Sequence, residues 1–168
     1  MEGSGLGNLI GPYKRGPEGD KFKQDELFSA DVLLFGRRTY DGFAAVWPTI
    51  KDETGMADRM NALPKYVLTT TLKRADWNNS QILSPAPLDQ ISKIKAEDGG
   101  DILIYGSASL GHLLMQHGLV DEVRMMIYPT ILGRGIRLFP ENVKANLDLL
   151  ECKQLGSGIV LLRYGVTN

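Results

Sequence analysis

The sequence predicts an α/β domain with three layers, α/β/α, whose sheet is mixed, mostly parallel and completed by a C-terminal antiparallel hairpin. Two observations predict the parallel part. Helical and strand-like patterns alternate over the first two thirds of the chain, and residues 101–105 form a nearly continuous apolar run, as buried parallel strands do. A third observation predicts the hairpin, because two strand-like segments flank the turn-forming sequence Leu155-Gly156-Ser157-Gly158.

Length, composition and charge are those of an ordinary globular domain. The chain has 168 residues, of which 43% are hydrophobic and 23% are charged, and its formal net charge is −1. This balance disfavours a general nucleic-acid binder or a membrane-surface protein. The one cysteine, Cys152, allows no internal disulfide, and we predict that it is a small buried residue. No membrane-length apolar run or signal peptide is found, which predicts a cytoplasmic protein.

The first elements are predicted from turn residues and helical periodicity. Residues 1–21 are rich in Gly and Pro and predict an irregular N-terminal loop, with a single domain over residues 22–168. Residues 22–30 predict a short helix, and residues 32–35 a buried strand. Apolar residues then recur at helical spacing up to Pro48, namely Tyr40, Phe43, Ala44 and Trp47.

The middle of the chain continues the alternation. A Met-rich helix is predicted to end at Pro64, and residues 66–70 and 82–83 predict strands. The stripe Leu88, Ile91 and Ile94 predicts a helix that Gly99-Gly100 closes. After the strand at residues 101–105, Ser107 or Ser109 is predicted to cap a further helix.

The last third predicts strands separated by loops. Residues 122–128 predict a strand that Pro129 ends, and residues 132–135 predict a loop. Residues 147–154 and 159–164 predict the two strands of the closing hairpin.

Two segments far apart in the sequence share one residue pattern. In residues 33–40 and 101–110 an apolar run ends near a glycine, and small, hydroxyl or basic residues open a helical pattern. The free N–H groups at the start of such a helix form an anion site. Two such sites on one sheet predict binding of a dinucleotide.

These residues also carry a family resemblance. Gly36-Arg37-Arg38-Thr39-Tyr40 resembles the Gly-Arg-x-Thr segment of dihydrofolate reductases. Residues 102–139 resemble the C-terminal reductase domain of the bifunctional riboflavin-biosynthesis deaminase/reductase. Three motifs follow that pattern in order: Tyr105-Gly106-Ser107-Ala108-Ser109-Leu110, Gly118-Leu119-Val120-Asp121-Glu122, and Pro129 with Leu132-Gly133-Arg134-Gly135 and Leu138-Phe139-Pro140. The likeness spans roughly residues 22–164 and implies a dihydrofolate-reductase-like fold.

The resemblance implies that the cofactor is NADPH. It places the segment after Gly36 near the pyrophosphate or 2′-phosphate, the threonines near the adenosine, and the segment from Tyr105 near the pyrophosphate and nicotinamide. Lys73 and Arg74 would select the 2′-phosphate. The implied cofactor-binding residues are Gly36, Arg37, Arg38, Thr39, Thr69, Thr70, Thr71, Lys73, Arg74, Tyr105, Gly106, Ser107, Ala108, Ser109 and Leu110.

Each of these assignments has a structural alternative. Arg37 and Arg38 are also explained as exposed charges, although cations at a helix N-terminus oppose the helix dipole unless an anion is bound. The threonines are ordinary strand residues, and Lys73-Arg74 is an ordinary turn sequence. The segment from Gly106 is also explained as a strand-to-helix turn with a serine cap.

The sequence departs from the family pattern in three places. The family begins with a strand that carries a Leu-Asp-Gly turn, and no such strand precedes Gly7, so we expect a gap beside a central strand. No carboxylate maps to the pterin site, which disfavours folate reduction and leaves the catalytic residue unassigned. Tyr105-Gly106 stands where dihydrofolate reductases often have Gly-Gly. His112 and His117 are five residues apart and predict no metal site.

Together these observations predict an NADPH-dependent reductase of a small heterocyclic or carbonyl substrate. The alternative is a non-catalytic nucleotide-binding or structural dimer module that retains the fold, and a third hypothesis is the riboflavin-pathway reductase itself. The resemblance further implies a homodimer, for which exposed apolar residues between 147 and 164 would be support.

Overall fold

The computed structural model describes residues 11–139, 141 and 143–167. In that part of the chain the elements are α1 Gly16–Ser29, β1 Ala30–Gly36, α2 Arg37–Val46, α3 Met56–Ala62, β2 Lys65–Leu68, β3 Ser80–Leu83, α4 Pro87–Lys95, β4 Asp101–Ile104, α5 Ala108–Gln116, β5 Glu122–Ile127, β6 Asn146–Gln154 and β7 Val160–Thr167. They divide between two compact units. Gln24–Leu114 forms one unit, and the described residues of Met1–Lys23 and Met115–Asn168 form the other.

The unit Gln24–Leu114 contains a four-stranded parallel sheet. Its strand order is β3-β2-β1-β4, and Leu34 of β1 pairs with Tyr66 on one side and Ile104 on the other. A parallel sheet is usually covered on both faces, so its inner strands carry apolar side chains on both, and accordingly Leu33, Leu34 and Phe35 are at most 2% exposed. Because the strands are parallel, their carboxyl ends meet at one edge of the sheet.

Aromatic side chains dominate the core of this unit. The ring of Phe35 contacts those of Tyr40, Phe43 and Trp77, with centroids 5.4–6.3 Å apart. Tyr40 and Trp77 are buried, and Phe43, Ala44 and Trp47 pack against the same cluster, so the whole predicted apolar stripe faces this core. The α2 stripe and the loop that contains Trp77 therefore pack on the same side of β1.

The second unit contains a three-stranded antiparallel sheet with the order β5-β7-β6. Its pairing includes a bulge between Leu149 and Glu151, which leaves Leu150 as the extra residue of β6. The core of this unit is small. It consists of Leu155, Ile159 and Leu161, against which Tyr13, Phe22, Met126 and Tyr128 pack.

The predicted α/β fold class is confirmed, with parallel strands followed by antiparallel ones. In detail the strands form two sheets in the described residues, whereas one mixed sheet was expected. The predicted loop over residues 1–21 is wrong from Gly16 onward, where α1 begins, and residues 1–10 lie outside the described part. The expected absence of the family's first strand before Gly7 also concerns residues outside the described part, so it stays a prediction. One domain over residues 22–168 stays a prediction.

Cys152 is exposed on β6, so its predicted burial is wrong; β6 lies at the edge of its sheet in the described structure, where a small apolar residue need not be covered. None of the helices in the described residues is long and apolar enough to span a membrane.

Candidate functional site

The carboxyl ends of β2, β1 and β4 bring three of the predicted segments together. Gly36 ends β1, the threonines follow β2, and Tyr105 follows β4. One contact joins the segments after β1 and β2, because Arg37 Nη1 donates a hydrogen bond to Thr71 Oγ1 at 2.6 Å. The segments after β1 and β4 also meet at Gly36 and Ser107. The parallel topology thus creates one site from residues far apart in the sequence.

Position 36 requires glycine because a side chain there would clash with a neighbouring residue. The φ of −79° and ψ of 156° at Gly36 are extended backbone that any residue adopts. A Cβ at this position, however, would lie 2.2 Å from Ser107 Oγ and 3.8 Å from Leu110 Cβ. The absence of a side chain therefore lets the end of β1 approach the turn that follows β4.

The turn after β4 contains two successive left-handed residues. Gly106 has φ +57° and Ser107 has φ +56°. Glycine adopts this left-handed conformation without steric strain, whereas serine adopts it at a cost in conformational free energy. Ser107 precedes α5 and its carbonyl oxygen accepts a hydrogen bond from Gly111 N at 3.0 Å, whereas Ser109 lies inside the helix. Of the two serines predicted at this helix start, Ser107 occupies the position.

A second helix begins directly at the end of β1. The residue before α2 is Gly36, so no side chain caps this helix, and its first turn contains no acidic residue. Its N–H groups therefore lack the side-chain acceptor that most helix starts provide. Thr39 lies close to the other turn, because a Cβ at Gly106 would be 3.7 Å from Thr39 Oγ1.

Arg37 is held in place although it is half exposed. Besides the hydrogen bond to Thr71, its Nε lies 3.4 Å from Asp41 Oδ2 one helical turn away. These two contacts orient the guanidinium across the ends of β1 and β2. Arg38, the next residue, is exposed. Two cations at a helix N-terminus are unfavourable by themselves, which makes this end of the sheet attractive for an anion.

The three threonines after β2 have different environments. Thr69 Oγ1 accepts hydrogen bonds from Thr71 N at 3.2 Å and Leu72 N at 3.1 Å, so this side chain closes its own turn. Thr71 anchors Arg37, and Thr70 is exposed. β2 ends at Leu68, two residues before the predicted end, because this turn takes over the backbone N–H groups.

Lys73 and Arg74 lie on the exposed loop that follows. Arg74 is 82% exposed and its Nε lies 2.5 Å from Asp76 Oδ1. A surface ion pair of this kind contributes little to stability. It does reduce the local positive charge, so Arg74 offers a weaker anion contact than its sequence position alone indicates.

Tyr105 and Leu110 connect the candidate site to the core by packing. The Tyr105 ring packs against Phe43 with centroids 5.7 Å apart, and Leu110 is 2% exposed. Ala108 and Ser109, in the first turn of α5, are exposed. The predicted segment therefore divides into residues that face solvent and residues that join the core.

A cavity of about 580 Å³ lies in the same unit, but not at the strand ends. Of the predicted residues only Arg74 lines it. Its other lining residues are Tyr40, Asp41, Ala44, Pro48, Asn61, Leu72, Asp76, Trp77 and Asn78. Trp77 fixes one wall, since its backbone N donates to Tyr40 OH at 2.9 Å and its Nε1 donates to Asn61 Oδ1 at 2.7 Å.

Sequence reasoning did not single out Lys65, which is buried and contacts residues that line this cavity. Lys65 is 1% exposed and its Nζ donates to the carbonyl oxygens of Asn61, Leu63 and Asn78 at 2.7–3.0 Å. Nζ also lies 4.5 Å from the centroid of the Trp77 ring. Burial lowers the pKa of Lys65 to about 8, while the three carbonyl acceptors favour its charged form. The hydrogen bond from Lys65 to Asn78 thus connects the start of β2 to the loop before β3.

No cluster in the described residues has the composition of a metal site. Among those residues, no group of three or more His, Cys, Asp or Glu side chains could hold a metal ion. The strand ends present Arg37, Arg38 and the N-termini of α2 and α5.

These features first define a class of protein. The chain forms a parallel sheet whose strand ends lie beside two helix N-termini, and antiparallel strands follow it. This arrangement is that of an α/β protein with a dihydrofolate-reductase-like fold. Dihydrofolate reductase from Enterococcus faecalis, in a structure complexed with NADP(H), superposes with a TM-score of 0.53 at 17% identity, over 90% of this chain and 83% of that one. At this identity the likeness establishes the fold alone.

The family follows from the sequence. The model of the RibD C-terminal domain family matches residues 11–161, and the chain belongs to this family. The Bacillus subtilis protein YyaP is 32% identical over 144 residues, which are 83% of this chain and 76% of YyaP. A putative riboflavin biosynthesis protein from Shewanella sp. PV-4 shares the fold with a TM-score of 0.76 at 16% identity, over 96% of this chain and 88% of that one. The predicted family resemblance is confirmed.

Proposed function

We propose that this protein is an NADPH-dependent reductase that acts on a small heterocyclic or carbonyl substrate, in the manner of the riboflavin-pathway reductases. Its family membership supports the reaction class. One structural observation carries the cofactor assignment: the contacts between Gly36 and Ser107 and between Arg37 and Thr71 hold three strand ends together beside two helix N-termini.

The residues at the strand ends fit a dinucleotide phosphate group. The start of α2 has no side-chain cap and no acidic residue in its first turn, so its N–H groups and Arg37 are suited to an anion. The turn of Gly106 and Ser107 brings the start of α5 to the same edge. We assign the pyrophosphate to these two helix starts. The bound cofactor would supply the hydride.

The remaining predicted residues take supporting roles in the proposal. Thr69, through its own turn, and Thr71, through Arg37, shape the wall next to the adenosine. Lys73 and Arg74 lie where the resemblance puts the 2′-phosphate, and the ion pair with Asp76 makes Arg74 the weaker of the two. In such a site the protein binds and orients the cofactor and excludes water.

A pair of arginine variants tests the cofactor assignment. In Arg37→Gln the guanidinium that bridges the strand ends is lost, and we expect NADPH affinity to fall at least tenfold. Arg15→Gln is the matched control, because Arg15 makes an exposed ion pair with Asp20 at 2.9 Å, away from the strand ends. The measurement is the fluorescence of the nicotinamide during titration. Equal NADPH affinity in wild type and Arg37→Gln would contradict the assignment.

Turnover is tested separately from binding. Wild-type protein is incubated with NADPH and, in turn, amino-substituted heterocycles and small carbonyl compounds, and NADPH consumption is followed. Consumption that depends on one substrate, and that Arg37→Gln reduces, supports the reductase proposal. Binding of NADPH without consumption by any substrate would favour the non-catalytic module.

A further inference from the structure

The loop over residues 69–79 connects β2 to β3 and carries Lys73 and Arg74, the cations of the proposed 2′-phosphate site. Its first turn is fixed by Thr69, whose Oγ1 accepts hydrogen bonds from two backbone N–H groups of the same turn. Leu72, directly before the cations, packs against the core of the unit. The start of the loop is therefore held in place just ahead of the two cations.

The end of the same loop is held through Trp77. Its backbone N donates a hydrogen bond to Tyr40 OH at 2.9 Å, and its Nε1 donates one to Asn61 Oδ1 at 2.7 Å. Lys65 Nζ lies 4.5 Å from the centroid of the indole ring and donates to the carbonyl oxygen of Asn78 at 3.0 Å. Trp77 is 6% exposed, so water does not compete for its backbone N–H group.

The two cations add little to the position of the loop. Lys73 is exposed, and Arg74 is 82% exposed and forms an ion pair with Asp76 of the same loop. An exposed ion pair within one loop contributes little and does not connect the loop to the rest of the domain. The position of both cations relative to α2 therefore depends on how the two ends of the loop are held.

Tyr40 connects the end of this loop to the helix start that we assign to the pyrophosphate. It is the fourth residue of α2, three residues after Arg37, and it is 3% exposed. Because its hydroxyl accepts the hydrogen bond from Trp77 N, one buried contact joins the first turn of α2 to the loop. The two rings also pack together, with centroids 6.1 Å apart. This contact sets the separation between the two proposed phosphate sites.

We propose that Tyr40 is a positioning residue for cofactor selectivity, which holds Lys73 and Arg74 where the 2′-phosphate of NADPH reaches them. The inference rests on the proposed function, since it requires a dinucleotide at the strand ends. Without the Tyr40 hydroxyl, the buried N–H group of Trp77 loses its acceptor, and the end of the loop shifts to find another. Charge-assisted hydrogen bonds to phosphate need close contact, so this shift weakens them. NADH has a hydroxyl in place of the 2′-phosphate and is affected less.

The first test is the ratio of NADPH affinity to NADH affinity in Tyr40→Phe, measured by calorimetric titration. This change keeps the ring and removes the hydroxyl, and we expect NADPH affinity to fall at least fivefold while NADH affinity changes less than twofold. Tyr66→Phe is the matched control, because Tyr66 is half-buried on β2. Ile91→Val, at a buried position of α4, controls for a general loss of stability. Both controls should keep the ratio of wild type.

A second variant breaks the other hydrogen bond of the indole. Asn61→Ala removes the acceptor of Trp77 Nε1 and should lower the NADPH preference in the same direction as Tyr40→Phe. Circular dichroism verifies that each variant is folded. Two folded variants that both keep the wild-type preference would overturn the inference.

A double-mutant cycle separates positioning from a structural role of Tyr40. Replacing both cations, in Lys73→Met/Arg74→Met, should abolish the preference for NADPH, and Tyr40→Phe should then lower NADPH affinity no further. A structural role alone would weaken NADPH and NADH alike in both backgrounds. An effect of Tyr40→Phe that persists without the two cations, in a wild type that prefers NADPH, would overturn this inference alone. A wild type that binds neither dinucleotide would overturn the proposed function as well.

Discussion

The same dipeptide, Leu-Leu, has opposite environments in the two sheets. Leu33 and Leu34 of β1 are at most 2% exposed, whereas Leu149 and Leu150 of β6 are 57% and 55% exposed. β1 has a hydrogen-bonded partner on each side, and β6 is an edge strand in the described sheet. The dipeptide is identical, so its surroundings decide its burial: β1 (ADVLLFG) is an apolar strand inside a parallel sheet, whereas β6 (NLDLLECKQ) is more polar and lies at a sheet edge in the described residues.

The two sheets also differ in the size of the core that packs against them. The parallel sheet buries its leucines, and the resulting rigid strands hold the loops of the candidate cofactor site at their carboxyl ends. The buried core beside the antiparallel sheet is small in the described residues, namely Leu155, Ile159 and Leu161, and Leu149 and Leu150 of this sheet are exposed. We therefore expect a substitution in β1 to cost more stability than the same substitution in β6.

The difference in burial between β1 and β6 is tested most strongly by a leucine-to-alanine substitution in each strand. Leu33→Ala removes a fully buried side chain and should cost about 2 to 5 kcal/mol of unfolding free energy. Leu149→Ala should cost less than about 0.5 kcal/mol at protein concentrations where the chain is monomeric. Urea denaturation at fixed protein concentration measures both. Equal losses would show that the two leucines are buried alike.

The next largest loss of unfolding free energy is expected when the buried ammonium of Lys65 is removed. Lys65→Met preserves the length of the side chain but leaves three carbonyl oxygens without their donor, and we expect a loss of about 2 to 3 kcal/mol. Lys73→Met, on the exposed loop after β2, is the control and should change little. Denaturant midpoints of the two variants test this, and a Lys65→Met protein as stable as wild type would refute the role of the ammonium.

The ion pairs that Glu122 makes with Arg124 and Arg163 in the antiparallel sheet make stability depend on pH. Hydrogen bonding to Arg163 lowers the pKa of Glu122 to about 2, from an ordinary value of 4.5. The stabilisation is therefore complete above pH 4.5 and is lost as pH falls towards about 2. Glu122→Gln should lose about 2 kcal/mol at neutral pH and flatten the stability curve in that window. Asp148→Asn, at an exposed position of β6, is the control, and thermal unfolding between pH 2 and pH 7 is the measurement.

The smallest expected effect concerns the contact between strand ends. Gly36→Ala should cost about 1 kcal/mol, because its Cβ would approach Ser107 Oγ to 2.2 Å. Gly42→Ala, in α2 with no atom within 4 Å of the new Cβ, should instead stabilise by about 0.5 to 1 kcal/mol. In a Ser107→Gly background the cost at Gly36 should vanish, and a double-mutant cycle measures this coupling. A cost that persists would locate the constraint elsewhere.

Much of the parallel sheet could be predicted from the sequence because its signals are local. The apolar runs at β1 and β4 and the glycines that follow them predicted the strand ends where the site residues meet. The start of α1 was missed because Gly16, Pro17 and Gly19 were interpreted as loop residues. In the structure Pro17 occupies the first turn, where its missing N–H is harmless, and Gly19 lets the helix approach Leu155.

The contacts that position the site could not be predicted, because they are long-range. Nothing near Lys65 in the sequence shows that Asn78 accepts its hydrogen bond, or that Trp77 lies beside it. The exposure of Cys152 depends in the same way on which strand lies at a sheet edge. Sequence periodicity identifies elements, and only the fold determines which of their ends meet.

Calorimetric titration of the wild-type protein with NADPH, and separately with NADH, is the most direct test of the central claim that the three strand ends form a cofactor site. The account predicts that NADPH binds with a measurable heat and that NADH binds more weakly, since it lacks the 2′-phosphate assigned to Lys73 and Arg74. Binding of neither dinucleotide would contradict it.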